Sequence, residues 1–282
     1  MQGRSSAKSL DRPEALETSP QLQRFPEAYP QAIRQAQVAV TAALADGCKL
    51  LEVEFPTASL ASVPGDAEGA NEMTLSMGFL RQFCRIFQTK ADSVRIFFPD
   101  EKELQVAKRG LSSKTAENIG GDFDVTRFNL DYLTKPTGLL DLGIDINKFN
   151  LATRAQATDD LFIIAYPHFN VNEMIAVEEL YSGAAEASGV PIIVFNGELD
   201  RIRSGYYPSL FYPKIGRLAK QFIPKFEVCY YIHNFKGTRG GVLFRCYPGP
   251  WQVLRRQGDD LQLIHTQETA PSLKDVALNI LK

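Results

Sequence analysis

The sequence predicts an α/β fold: a single domain with a mixed sheet, parallel and Rossmann-like in its first part and an antiparallel meander at the C-terminal end. Three observations carry this. Short apolar runs at Lys49–Phe55, Val94–Phe98, Leu161–Tyr166 and Pro191–Phe195 are separated by segments of helical spacing. This is the pattern of strands buried on both faces and joined by right-handed crossovers. After residue 225, four further apolar runs follow at short intervals, which favours antiparallel pairing. Neither a repeat nor a linker interrupts 26–282, so one domain follows a tail.

The elements follow in order. The segment up to Pro26 contains three prolines and few large apolar side chains, and residues 1–25 read as a disordered tail. Pro30 suits a helix start, because its missing N–H is unused there, and Ile33, Ala36, Val40 and Leu44 continue at helical spacing until Asp46-Gly47. Lys49–Phe55 is a strand closed by Pro56, and 57–71 is a loop. Leu75, Phe79, Phe83, Ile86 and Phe87 mark one face of a second helix. Val94–Phe98 is a strand. Asp100 then caps a short helix to Arg109, with Glu103 three residues on. Residues 110–158 show no clear period and read as an excursion beside the sheet. Leu161–Tyr166 is a strand, Val171–Ser188 a helix ended by Gly189, Pro191–Phe195 a strand and Pro208–Phe222 a helix. Phe226–Phe235, Val242–Tyr247, Trp251–Arg255 and Leu261–Thr266 are the meander, and Ser272–Leu281 is a closing helix capped by Ser272.

With 282 residues, 44% hydrophobic and 23% charged, the composition is that of a globular protein, which excludes fibrous and wholly disordered classes. No run approaches the ~20 apolar residues of a membrane helix. The first 25 residues lack the apolar core of a secretory signal; Arg4, Lys8 and three serines before Asp11 faintly resemble the end of an organellar transit peptide. Cys48, Cys84, Cys229 and Cys246 form no CxxC, and with three histidines no structural zinc spacing exists. Buried free thiols are the simplest reading. An even hairpin loop would place Cys229 and Cys246 on one face, where a redox disulfide is the alternative.

Open α/β sheets bind ligands at the carboxyl ends of their strands. Those ends gather Glu54, Asp100, His168, Asn170, Asn172, Glu173, Asn196, Asp200 and Arg201. Such a set supports general acid–base work or holds a hard cation; equally, Asp and Asn at these positions cap helices. Glu52 and Glu54 alternate with Leu51, Val53 and Phe55 and share a face. An edge strand with one wet face is the expected reading; if helices cover that face, both carboxylates need partners. No nucleotide-binding glycine loop, nucleophile elbow or HExxH is present, so no residue is assigned a catalytic role and no cofactor or metal is expected. Residues 237–241 are glycine-rich but join two strands, forming a hairpin loop rather than a phosphate cradle.

The net charge of −2 conceals a segregation. Residues 201–258 hold eleven basic residues and one acid, Glu227, a segment charge of +10 against −12 elsewhere. Arg203, Lys214, Arg217, Lys220, Lys225, Lys236, Arg239 and Arg245 are the partner-binding candidates, interleaved with aromatics from Tyr206 to Trp251. An acidic protein or an anionic membrane surface fits such a field. RNA fits least, since no RNA-binding motif accompanies the charge. The alternative is that these charges neutralise the acidic remainder across the fold.

Tyr29-Pro30-Gln31-Ala32, Leu51–Pro56, Val94–Asp100, Pro167–Glu173 and Gly240–Trp251, in this order and spacing, resemble the uncharacterised domain of chloroplast and cyanobacterial proteins of the low photosystem II accumulation type. That domain also occurs fused to some plastid adenylate kinases, and the resemblance covers roughly 27–281. It implies a non-enzymatic auxiliary role in photosystem II assembly, through contact with assembly factors or the core subunit CP43. It also implies a stromal location at the thylakoid, or the cytoplasmic side in a cyanobacterium. The family offers no catalytic residues to carry over, and the kinase link does not transfer to a chain without a phosphate loop. The expected function is therefore an auxiliary factor that meets an acidic partner or the thylakoid surface through its basic aromatic region. An enzyme or small-ligand binder using the strand-end cleft is the alternative.

Overall fold

The computed structural model describes residues 22–63, 70–109, 127–134, 151–168, 170–204, 212–237, 240–258 and 260–282. The helices are α1 (Tyr29–Ala45), α2 (Ala70–Cys84), α3 (Glu101–Arg109), α4 (Val171–Leu180), α5 (Glu186–Ser188), α6 (Asp200–Arg203), α7 (Pro213–Arg217) and α8 (Leu273–Asp275). The strands are β1 (Leu50–Glu54), β2 (Val94–Asp100), β3 (Asn129–Thr134), β4 (Leu161–Ala165), β5 (Ile192–Phe195), β6 (Glu227–Phe235), β7 (Gly241–Cys246), β8 (Trp251–Gln257) and β9 (Asp260–Gln267). They form one sheet in the order β3-β2-β4-β5-β1-β6-β7-β8-β9. The first six run parallel and β6 to β9 pair antiparallel, so the mixed α/β architecture is the expected one.

Alternation along the strands supplies two apolar layers. Leu51, Val53, Ile96, Phe98, Ile163 and Ile193 pack under α1, α2 and α3. The alanine-rich face of α1 (Ala32, Ala36, Ala39, Ala43) is fully buried and lets its backbone lie close to the sheet. On the other face Leu50, Phe97, Phe162, Ile164, Ile192 and Val194 meet α4 and α7. Further along that face, the C-terminal helical turn places Val276 and Leu281 over Leu243, Trp251 and Val253. The expected caps form: Asp100 Oδ1 accepts from Glu103 N at 3.0 Å, Ser272 Oγ from Asp275 N at 3.1 Å, and Gly189 ends α5 at φ 69°.

Several expectations are corrected. β1 is not an edge strand with a wet face; it lies between β5 and β6, and Glu52 is fully buried. Its alternation marks a paired internal carboxylate, not solvent. The α2 face does not extend to Ile86, which is 37% exposed, because the chain tightens into a 3₁₀ turn from Arg85. The helix expected over 171–188 is α4 and α5 joined by a π-helical turn at Tyr181–Ala185. In the helix expected over 208–222, α7 continues through a π-helical turn at Leu218–Phe222, while 208–211 lie outside the described residues. Within 110–158, β3 is a parallel edge strand that the sequence did not announce, because only Leu133 is fully buried on it and no clean period results. Residues 110–126 and 135–150 lie outside the description, as do 1–21 of the expected tail, 64–69 of the expected loop, and Tyr206, Tyr207 and Arg239.

Cys229 and Cys246 are both free thiols. The hairpin loop 236–240 is odd in length rather than even, and the register from Phe235↔Gly241 onward puts Tyr230, not Cys229, opposite Cys246. Gly241 starts β7 where an added Cβ would collide with the Leu254 carbonyl and lie 2.6 Å from the Leu281 side chain. Gly241→Ala is therefore expected to destabilise the fold by about 1–3 kcal/mol, the range for overpacking, as measured by urea unfolding. An unchanged midpoint would mean that β7 and β8 can separate freely there.

Candidate functional site

After β1 the chain leaves to α2, whose Met77 and Leu80 pack on the first face; after the adjacent parallel β5 it leaves to α6, whose Ile202 packs on the second. Neighbouring strands with oppositely directed connections open a crevice at their carboxyl ends, the usual ligand position of such sheets. Side chains stitch this crevice. Asn196 N donates to Val53 O at 2.7 Å, and Asn196 Oδ1 accepts from Phe55 N at 3.1 Å. Glu54 Oε2 accepts from Glu198 N at 2.9 Å. Three non-glycine residues adopt left-handed backbone here or on the next strand: Tyr166 (φ 34°), Asn196 (φ 50°) and Glu198 (φ 46°). Each such conformation costs about 1–3 kcal/mol and persists only where its surroundings impose it.

Two charged clusters flank the crevice. In the first, Arg203 makes a two-pronged contact with fully buried Glu52 and reaches Asp200 at 3.2 Å, while the Tyr231 hydroxyl donates to the other Asp200 oxygen. Burial raises the Glu52 pKa, and Arg203 partly offsets this. Burial alone would lower that of Arg203; the Glu52 and Asp200 carboxylates outweigh it and hold the guanidinium charged. In the second cluster, Glu198 binds Arg201 and stands 3.5 Å from His168 Nδ1. Burial, with the Arg201 charge, lowers the His168 pKa to about 4, so the imidazole is neutral near pH 7. Glu54 lies between the clusters. Desolvation, then Glu198 and Glu52, push its carboxyl well above the usual range.

This raised pKa has a pH consequence. Above the ordinary carboxyl value of about 4.3, the unfolded chain releases the Glu54 proton while the folded chain keeps it, so stability falls as pH rises through that window. Glu54→Gln should flatten that decline, leaving the variant more stable than the parent at pH 8 but not at pH 4. Parallel pH–stability curves for the two proteins would contradict it.

The structure thus brings together Glu54, His168, Asn196, Asp200 and Arg201 of the expected cleft set. Asp100 instead caps α3, and Asn170 caps α4 by accepting from Asn172 N at 2.9 Å. Asn172 lies in the first turn of α4, and Glu173 beside it is 3% exposed. Sequence reasoning missed Glu198, Tyr166 and Tyr231. Glu198 was visible three residues after the end of β5; Tyr231 carried no signal, because its position opposite Glu54 depends on the bulge at Cys229. Among the described residues no group of three or more His, Cys, Asp or Glu could hold a metal ion.

Much of the basic segment is neutralised across the fold. Arg201 meets Glu198, Arg203 meets Glu52 and Asp200, and Arg217 meets Glu178 at 2.9 Å. Lys225 stands 3.9 Å from Glu186, and Arg245 2.7 Å from Glu227. Lys236 is exposed beside the hairpin loop. Lys214 and Lys220 are exposed and carry no ion pair among the described residues; with Arg217, whose side chain is 56% exposed, they mark the outer side of α7 and its continuation. Among the described residues no helix is long and apolar enough to cross a membrane.

A family model described as a domain of unknown function, DUF1995, matches residues 26–278. No curated protein and no solved structure matches the chain.

Proposed function

We propose, from the premise that the chain belongs to this DUF1995 family, that it is a non-enzymatic auxiliary factor of photosystem II assembly that docks an acidic protein partner. The partner is an assembly factor or the core subunit CP43, met at the stromal side of the thylakoid, or the cytoplasmic side in a cyanobacterium. The resemblance of residues 27–281 to the low photosystem II accumulation type supports the process. The observation that carries the docking mode is the exposed row Lys214, Arg217 and Lys220, two of whose three cations form no ion pair among the described residues. A row this short favours a protein over a lipid surface. Each cation near an anionic membrane contributes about 1 kcal/mol, and stable attachment takes a cluster of roughly four to eight. Flotation of the full chain with vesicles containing anionic lipid tests that choice: little association is expected, and salt-sensitive flotation would reassign the row to the thylakoid surface.

A second reading is favoured by a specific observation, the convergence of Asn196 and Glu198 in left-handed backbone with half-buried Glu54 at the β1–β5 crevice. It assigns the crevice to a small ligand, with Glu54 as proton donor and neutral His168 beside it. A thermal-shift screen of small metabolites tests it. A ligand that raises the melting temperature of the parent but not of Glu54→Gln supports this reading, and no such ligand counts against it.

A further inference from the structure

A groove far from the parallel strand ends has walls fixed by two buried carboxamides. It measures about 710 Å³, within the ~300–1,000 Å³ of small-molecule sites. One wall is the extended segment 22–27. Gln252, 3% exposed on β8, donates to Gln23 O at 3.1 Å; Gln35 donates to Arg24 O at 2.9 Å; and Phe25 stands edge-on to Phe244 at 5.6 Å. The other wall is the loop after β1. Asn234, 2% exposed on β6, donates to Leu60 O at 2.9 Å and Ser62 O at 2.8 Å. A buried amide is costly unless hydrogen-bonded, and these two spend their donors on holding surface segments against the sheet. The groove is therefore set before any ligand arrives.

Its chemistry is amphipathic. Leu22, Phe25, Leu60, Leu254, Leu261 and Leu263 line it, and Leu22 and Leu263 are 49% and 40% exposed. Arg24 and Arg256 also line it, and neither forms an ion pair among the described residues; Arg256 has only a long 3.4 Å contact to Asn234 Oδ1. The acids on the rim, Glu27 and Asp260, are not paired with either guanidinium. Two guanidiniums without an ion pair among the described residues, beside an apolar trough, complement one kind of occupant.

We propose that this groove binds a single-chain amphipathic carboxylate, its hydrocarbon along Leu254, Leu261 and Leu263 and its head on Arg24 and Arg256. The site is independent of the α7 surface and of the strand-end crevice.

The test is calorimetric titration of the full chain with laurate, below its micelle concentration, and with dodecanol as the neutral control. Saturable one-site binding of laurate is expected, with dodecanol at least about tenfold weaker, as loss of a charge-assisted contact implies. The Arg24→Gln/Arg256→Gln double variant should weaken laurate to the same degree, and Leu263→Glu on the exposed β9 should do so separately. Arg24 and Leu263 are exposed and Arg256 is half-buried, and unchanged unfolding midpoints would confirm intact folds. Absence of saturable heat, equal binding of dodecanol, or undiminished binding by the double variant would each overturn the proposal. So would binding to lipid vesicles without binding to dispersed laurate.

Discussion

Arg203→Leu is expected to lower the unfolding free energy by about 3–5 kcal/mol, because it leaves the fully buried Glu52 carboxylate without its counter-charge. Glu52 sits on central β1, opposite Val194 of β5 and Val228 of β6, and is fully buried. The attraction within such a pair roughly repays its desolvation, whereas one partner alone does not. Adding Glu52→Met to Arg203→Leu should therefore recover most of the loss, since an apolar pair fills the same space between the β-sheet and α6. Asp200 stays hydrated enough to tolerate the change, with 24% of its side chain exposed. Urea unfolding of the parent, the single variant and the double variant decides this. A single variant within about 1 kcal/mol of the parent would show that Glu52 reaches water or another cation.

The second large effect is acid lability at His168. Its folded pKa of about 4 lies below the ordinary 6.5, so between these values the unfolded chain takes up a proton that the folded chain refuses. Stability is therefore lost as pH falls from about 6.5 to 4, by about 3 kcal/mol from this group, and is unaffected above that window. His168→Gln should match the parent at pH 7.5 and exceed it by about 2–3 kcal/mol at pH 4.5. Glu54 acts with the opposite sign at higher pH, so the difference between parent and His168→Gln, rather than either curve alone, reads the histidine. A proton resonance showing His168 titrating near 6.5 in the folded chain would contradict the assignment.

Legibility in the sequence followed burial. Strands such as Leu161–Ala165 and Ile192–Phe195 are apolar throughout because both faces are covered, and their turn signals at Pro167 and Asn196-Gly197 are local. β3 was hidden, since a parallel edge strand with one fully buried residue has no such signature. The strand-end location of Glu54, His168 and Asn196 followed from the fold class alone. Their partners did not: Glu54 meets Glu198 across 144 positions, and Glu52 meets Arg203 across 151. The same long-range pairing explains the charge pattern. A segment of +10 reads as a basic surface, yet Arg201, Arg203, Arg217, Lys225 and Arg245 each face a carboxylate once the chain folds. Among the described partner-binding candidates, Lys214 and Lys220 form no ion pair, and with Arg217 they leave a smaller and more defined row on α7 and its continuation.

That row is where the account is most directly tested. The measurement is recovery of CP43-containing assembly complexes from solubilised thylakoids on the immobilised full chain, at about 0.05 M and about 0.5 M salt, for the parent and for Lys214→Glu/Lys220→Glu. Screening shortens electrostatic reach well below 10 Å at the higher salt. The account predicts recovery by the parent at low salt, loss at high salt, and loss in the double variant with its unfolding midpoint unchanged. Equal, salt-insensitive recovery by both proteins, or no CP43-containing complex on either, would contradict it.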